Sequence, residues 1–142
     1  MDKGLVAKAS ISIDAPITKV WNALIDPEMI KEYMFGAQVV SDWKEGSSIV
    51  WKGVYEEKPY EDKGVVLKLN PPGFLQYTHF SPVAGLPETP ENYHTVTCEL
   101  TAEGSHTLLS LSQDNNATEK EREHSGKMWA MMLNGIKLLL ED

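Results

Sequence analysis

Cysteine is almost absent from this chain of 142 residues, since Cys98 is the only one. A single cysteine excludes an internal disulfide and a cysteine-based zinc cluster. Its place in strand-like sequence favours a small, buried apolar side chain. Stability must therefore come from a packed core, which a chain of this length can bury without covalent or metal staples.

Long hydrophobic runs are also missing. No apolar run approaches the roughly 20 residues that a membrane-spanning helix needs. The first residues lack the apolar segment and the cleavage site of a signal peptide. These absences predict a single cytoplasmic domain over residues 1–142, with no integral membrane association.

Positive charge is in deficit, with 13 Lys and Arg against 21 Asp and Glu and a formal net charge of -8. Phosphate backbones and anionic lipid surfaces repel such a chain at long range. We therefore expect no nucleic-acid partner.

The common catalytic signatures do not occur. There is no G-x-S-x-G elbow, no phosphate-binding glycine loop and no H-E-x-x-H pattern. Glu121 and His124 have the spacing of half a di-iron site, but the second half is missing. The acid pairs Glu56-Glu57 and Glu61-Asp62 are predicted to surround an exposed hairpin turn, where a raised pKa is not expected. We predict no catalytic residue, metal or cofactor, and favour a binding protein over an enzyme.

What the sequence does contain is a regular order of elements. Alternating residues from Leu5 to Asp14 predict a first strand. Pro16 begins one short helix, and Asp26-Pro27 begins a second that ends at Gly36. Further strands are predicted near 38–42, 48–56, 62–70, 74–80, 93–102 and 106–113, separated by turn residues in an antiparallel meander.

Two longer segments complete the pattern. The prolines between Ser81 and Asn92 predict the longest irregular connection, a candidate lid or rim. Thr118 and Glu121 form a capping box that begins a last helix, after a turn at residues 114–116. Between residues 128 and 140 this helix has an apolar surface wider than the usual stripe. We therefore expect it to lie deep on the concave face of a curved antiparallel sheet.

This order resembles the helix-grip fold of START-like proteins, the SRPBCC superfamily. The phrases that carry the resemblance are Ile13-Asp14-Ala15-Pro16, Val20 to Leu24, Asp42 to Ser47, Asp62 to Val66, Pro71 to Thr78 and Gly126 to Trp129. The later phrases resemble the branch named for the activator of heat-shock 90 ATPase homologue, the AHSA type. The resemblance implies an α+β fold in which six to seven antiparallel strands wrap around a long C-terminal helix, with two short helices after strand 1. It also implies a cavity between the sheet and that helix.

Strand alternation predicts which side chains would line such a cavity. The candidates share an inward position on a strand or on the last helix: Trp51, Tyr55, Tyr77, His79, His94, Val96, Cys98, Leu109, Leu111, Gln113, Trp129, Met132, Leu133 and Ile136. Apolar walls with a few polar groups are typical of small-molecule pockets. The same residues would also make a filled core, because periodicity reports burial and not empty space.

Three functions are compatible with these residues, because a fold does not determine a function. The leading hypothesis is reversible binding of a small hydrophobic or amphipathic molecule. The second is a cyclase-type or hydrolase-type enzyme that uses His79 or His94 with Tyr55 or Tyr77.

The third is a protein-interaction module in stress or chaperone biology, with an exposed apolar patch on the outside of the sheet. The chaperone-activating role belongs to longer eukaryotic members of the family, which carry an additional N-terminal domain, so a chaperone partner rests on family analogy only. A homodimer is compatible with all three hypotheses.

Overall fold

Antiparallel strands form one curved sheet with helices against its inner face. The structure is a computed structural model, and it describes residues 4–55, 57–82, 85 and 87–141, without the side chain of Tyr55. The strands are β1 (Leu5–Ile13), β2 (Gln38–Ser41), β3 (Ser48–Tyr55), β4 (Lys58–Asn70), β5 (Phe74–His79), β6 (His94–Glu103) and β7 (His106–Asn116). The helices are α1 (Ile17–Ile25), α2 (Pro27–Tyr33) and α3 (Glu119–Leu140).

The strand order is β1-β7-β6-β5-β4-β3-β2, so β2 to β7 form a meander and β1 closes on β7. Every pairing is antiparallel. The predicted α+β helix-grip architecture is confirmed. One consequence is that the two edges of the sheet are β1, beside α3, and β2, beside α2.

Alternation along the strands separates the core from the solvent, as predicted. Ala7 and Ile13 of β1 are buried, whereas Lys8 and Ser10 between them are exposed. The same period places Trp51 on the inner face of β3 and Tyr77 on that of β5, because neighbouring side chains of a strand point to opposite faces.

The helices α1 and α2 are joined by a capped proline junction. Oδ1 of Asp26 accepts a hydrogen bond from the backbone N–H of Glu28 at 3.0 Å, and Pro27 occupies the first turn of α2. The missing N–H of Pro27 leaves the carbonyl of Ala23 without its usual helical donor. The hydroxyl of Tyr33 donates to that carbonyl at 2.9 Å and so closes the junction.

The predicted start of β4 was wrong. Residues 57–59 were expected to form a turn before a strand at 62, but β4 begins at Lys58 and pairs Pro59 with Val54. The pairs between β4 and β5 begin at Val66, so Pro59 lies on a free edge where a missing N–H is tolerated. Glu56, at the end of the predicted strand 48–56, lies outside the described residues.

The predicted end of β7 was also wrong, whereas the cap of α3 is confirmed. The strand continues to Asn116 through the expected turn, with Asn115 in the left-handed region at φ 59°. Oγ1 of Thr118 then accepts from the N–H of Glu121 at 3.1 Å, and Glu121 returns a bond to the N–H of Ala117. Asparagine tolerates this backbone conformation, so the strand reaches the cap directly.

Helix α3 is less deeply buried than its composition predicted. Leu133 and Ile136 are each only 1% exposed, but Met131 is 58% and Leu138 68% exposed. The helix packs mainly along β1, the edge strand, so a single stripe faces the core. Among the described helices none is long and apolar enough to cross a membrane.

Two glycines give opposite predictions for the same change. A Cβ on Gly64 would lie 1.7 Å from the carbonyl oxygen of Thr78, whereas a Cβ on Gly126 in α3 would meet nothing closer than the carbonyl of Lys8 at 3.9 Å. We expect Gly64→Ala to lower the free energy of unfolding by roughly 3 kcal/mol or more, because backbone must move. Gly126→Ala should raise it by about 0.5–1 kcal/mol, because alanine favours a helix. Urea unfolding of both variants measures the difference, and changes of the same sign would contradict this packing.

Candidate functional site

A small cavity lies between α3, the α1–α2 pair and the inner face of the sheet. Its volume is about 20 Å³, enough for one water molecule. The walls are almost entirely apolar or aromatic, and come from Leu24, Ile30, Tyr33, Met34, Trp43, Trp51, Leu75, Tyr77, Cys98, Leu111, Trp129, Met132, Leu133 and Ile136. The interior is therefore nearly filled, and a larger guest requires some of these side chains to move.

The structure brings many of the sequence candidates together around this cavity. Those in its wall are Trp51, Tyr77, Cys98, Leu111, Trp129, Met132, Leu133 and Ile136. Val96 and Leu109 are buried in the surrounding core instead. The side chain of Tyr55 lies outside the described residues. Ligand contact at any of these positions stays a prediction.

Sequence reasoning missed the wall that comes from the helices and from the β2–β3 turn. Leu24, Ile30 and Tyr33 lie on apolar helical stripes, and such stripes report burial without saying what they face. Trp43 lies two residues after the end of β2, in the turn before β3, and has no periodic neighbours. Only the packing of α1, α2 and this turn against the rest of the core directs these side chains to the cavity.

Two tyrosines in the wall differ in their hydrogen bonding. The hydroxyl of Tyr33 donates to the Ala23 carbonyl, but that of Tyr77 has no hydrogen-bond partner among the residues described. Tyr77 is only 6% exposed. Burial, followed by the proximity of Cys98, raises the pKa of both hydroxyls well above the ordinary tyrosine value. Both are therefore neutral groups that can donate or accept a hydrogen bond.

Trp43 brings a second unpaired group to the cavity wall. Its Nε1 is buried and has no hydrogen-bond partner within the described parts of the chain. Its backbone is in the left-handed region at φ 53°, which is unfavourable for a bulky residue. Ser41 stabilises this conformation, because its hydroxyl accepts from the N–H of Trp43 at 3.1 Å. A strained turn thus holds a free hydrogen-bond donor in the wall.

Ring contacts and one strong hydrogen bond order the rest of the wall. The indole of Trp51 lies 5.5 Å from the ring of Tyr77 and 5.0 Å from that of His79, between centroids. Nε1 of Trp129 donates to Oε1 of Gln113 at 2.6 Å. Gln113, a predicted cavity residue, does not line the cavity itself but orients Trp129, which does.

The two candidate histidines are direct partners across β5 and β6, but they do not share one hydrogen-bonded site. Nε2 of His79 lies 2.9 Å from Oδ2 of Asp62, and Nδ1 of His94 donates to the carbonyl of Asp114 at 2.8 Å. In the described residues neither imidazole bonds to a tyrosine. The predicted convergence of histidine and tyrosine for acid-base chemistry is not observed.

Asp62 corrects the prediction that its acid pair is exposed at a turn. It lies inside β4, directly opposite Trp51, and its side chain is only 14% exposed. Its Oδ1 is buried and unpaired among the described residues. The acid pair was expected to be exposed around the turn, whereas alternation along β4 places residue 62 on the inner face with Gly64 and Val66.

The connection between residues 81 and 92 is tied to the sheet at the positions described. Lys63 forms an ion pair with Glu88, and Phe80 stacks on Tyr93 with centroids 5.2 Å apart. Residues 83, 84 and 86 of this predicted lid or rim lie outside the described residues. Across all the residues that the structure describes, no group of three His, Cys, Asp or Glu side chains is arranged to hold a metal ion.

Comparison with known proteins places this geometry in a family context. The family model for Activator of Hsp90 ATPase homolog 1-like protein matches residues 14–141. The solution structure of ChR145 from Cytophaga hutchinsonii is 57% identical, with a TM-score of 0.87 over 99% of this chain and 97% of that one. None of the curated proteins matches the chain.

More distant solved structures show the same fold. CalU16 from Micromonospora echinospora is 22% identical, with a TM-score of 0.74 over 96% of this chain and 83% of that one. The Aha1 dimer from Colwellia psychrerythraea is 21% identical, with a TM-score of 0.75 over 96% of each chain. At such identities the likeness concerns the fold alone.

The unequal bonding of the two tyrosines predicts unequal costs of removing their hydroxyls. Tyr33→Phe should lower the free energy of unfolding by about 1–3 kcal/mol, because the Ala23 carbonyl loses its donor. Tyr77→Phe should change it by less than about 0.5 kcal/mol, because no protein partner is left unpaired. Chemical denaturation of the two variants tests this, and equal losses would mean that Tyr77 has a structural bond.

Burial of Cys98 predicts a loss of stability at alkaline pH. Burial raises the pKa of its thiol from 9.0 to about 12. Between these values the unfolded chain releases the proton and the folded chain keeps it, so the free energy of unfolding falls as pH rises. The difference in unfolding free energy between the wild type and Cys98→Ala should shift by about 1 kcal/mol from pH 9 to pH 10, with the wild type losing more. A difference that does not change with pH would contradict a buried thiol.

Proposed function

The chain belongs to the family of Activator of Hsp90 ATPase homolog 1-like proteins, and on that premise we propose that it reversibly binds a small hydrophobic or amphipathic molecule between α3 and the sheet. The site is the cavity bounded by Trp51, Tyr77 and Trp129.

The observation that carries this proposal is a pair of unpaired polar groups in an apolar wall. Nε1 of Trp43 and the hydroxyl of Tyr77 have no hydrogen-bond partners in the described residues. Most buried polar groups in proteins are paired, and a fully buried unpaired group such as Nε1 of Trp43 costs about 1–3 kcal/mol. Apolar walls with a few well-placed polar groups are typical of ligand sites. An oxygen of a guest would accept a hydrogen bond from Nε1 of Trp43, and the hydroxyl of Tyr77 can donate or accept one.

The small volume requires the wall to open when a ligand enters. Met34, Trp129 and Met132 are the lining residues suited to this movement, because they are half-buried at the surface side of the cavity. Methionine side chains adapt to irregular shapes. Each large apolar group that a ligand buries contributes about 1.5–3 kcal/mol, so a ligand with a few such groups can reach micromolar affinity.

The outer face of the sheet gives less support to a protein-docking function. Exposed apolar side chains on this face include Val40, Val54, Val65 and Leu67, and the ion pair of Lys52 with Glu61 lies between Val40 and Val54. The outer surface over β1, β7 and β6 is rich in hydroxyl groups, such as Ser110. A cytoplasmic location stays a prediction, whereas a chaperone partner, a homodimer and an enzymatic activity stay alternatives to be tested.

Methyl NMR with ¹³C-labelled methionine tests ligand entry directly. With 2-naphthol as the probe, we expect the methyl signals of Met34 and Met132 to shift and saturate below about 1 mM. The signal of Met131, on the exposed face of α3, is the internal control and should not move. No saturable shift at Met34 and Met132, or an equal shift at Met131, would overturn the proposal.

Two variants separate entry into the cavity from surface binding. Cys98→Leu adds volume inside the cavity and should abolish the shifts while the protein stays folded, because the guest and the new side chain need the same space. Met131→Leu is a matched apolar change outside the cavity and should leave binding intact.

A further inference from the structure

A polar cluster lies directly beside the aromatic wall of the cavity. Trp51 contacts the ring of His79 edge-on and stands opposite Asp62 across β3 and β4. His79 follows Tyr77 by two residues on the same face of β5, a separation of roughly 7 Å. A two-ring molecule stacked along Trp51 would therefore reach from Tyr77 to this cluster.

The hydrogen bond between His79 and Asp62 leaves a specific atom free. Nε2 of His79 lies 2.9 Å from Oδ2 of Asp62, and with the carboxylate ionised it donates to that oxygen and holds the orientation of Asp62. Oδ1 is buried without a partner in the described residues. A buried carboxylate oxygen without a donor is costly, and such exceptions call for an explanation.

The neighbouring polar atoms do not supply the missing donor. Nδ1 of His94 is committed to the carbonyl of Asp114, so a neutral His94 presents only an acceptor at Nε2. The hydroxyl of Tyr60 lies across Gly53, and burial, followed by the charge of Asp62, raises the pKa of Tyr60, but among the described residues no hydrogen bond joins Tyr60 to Asp62. The cluster thus has acceptors in excess.

We propose that Oδ1 of Asp62, with the carboxylate positioned by His79, accepts a hydrogen bond from the hydroxyl group of a planar aromatic ligand. This inference rests on the proposed function and adds a ligand class, hydroxylated aromatics, to it. A neutral hydroxyl fits better than a cation, because His79 already shares the carboxylate and the adjoining wall is apolar. Asp62 is then a ligand-binding residue, and His79 is a positioning residue.

Two probes of the same shape test the assignment. 2-Naphthol and 2-methoxynaphthalene share the aromatic body, but only the first has a donor. We expect the wild type to bind 2-naphthol roughly tenfold or more tightly, the value of a hydrogen bond to a charged group. In Asp62→Leu, which keeps the size and removes both oxygens, the preference should fall to about twofold while 2-methoxynaphthalene binds as before.

Control variants keep the test decisive. Glu61→Gln removes one negative charge from the adjacent exposed position and should keep the full preference. If Asp62→Leu does not fold, Asp62→Asn retains the shape and one neutral acceptor, and its preference should fall to roughly threefold. A merely structural role for Asp62 would change the affinity for both probes equally, which would overturn the inference.

The outcomes also separate this inference from the proposed function. Equal binding of both probes by the wild type, as when a resident water satisfies Oδ1, overturns the role of Asp62 and leaves the cavity as a ligand site. Tighter binding of the cationic 2-naphthylmethylamine than of 2-naphthol overturns the hydroxyl class. Binding of neither neutral probe overturns the proposed function and this inference with it.

Discussion

The contact on which the rest of the structure depends is the stripe of α3 that enters the core at Leu133 and Ile136. This stripe covers the inner face of the sheet beside its first strand, and Gly135 lets α2 approach it closely, because a Cβ there would lie only 3.0 Å from that of Tyr33. Without this packing of α3 against the sheet, the aromatic inner faces of β3 and β5 would be open to water. The cavity exists because α3 covers most, but not all, of that inner surface.

The interior combines efficient apolar packing with local polar costs. The cavity of about 20 Å³ leaves little empty space, yet its wall holds an indole nitrogen and a hydroxyl without partners among the described residues. Asp62, the strand partner of Trp51, adds a carboxylate oxygen that is likewise unpaired. Such exceptions to complete pairing tend to mark sites where stability is given up for binding. The strained backbone of Trp43 lies in the wall of the same cavity, and such strain also tends to cluster at binding sites, so it supports the proposed ligand site.

Family membership and this geometry address different questions. The family and the related structures concern the fold, which is shared down to identities near 20%. The proposed ligand class depends on particular side chains, such as Trp43 and Asp62, and the fold does not dictate them. The assignment of a ligand class therefore rests on atoms of this chain, and most of all on Oδ1 of Asp62.

The amino-acid sequence by itself determined the order of elements and the inward face of the strands, because alternation and capping are local properties. Leu5 to Ile13, the Thr118 cap and the inward positions of Trp51 and Tyr77 all follow from neighbours a few residues away. Where local signals conflicted, as at Pro59, the strand start was misplaced, and the inward position of Asp62 was missed as well.

Only the tertiary structure decided which buried residues face a cavity and which of them lack partners. Leu109 and Leu111 have the same sequence pattern, yet the first is core and the second is wall. The exposure of Met131 followed from the position of α3 along an edge strand. Burial is encoded in the period of the chain, whereas empty space and unpaired atoms arise from contacts between distant elements, which no local pattern records.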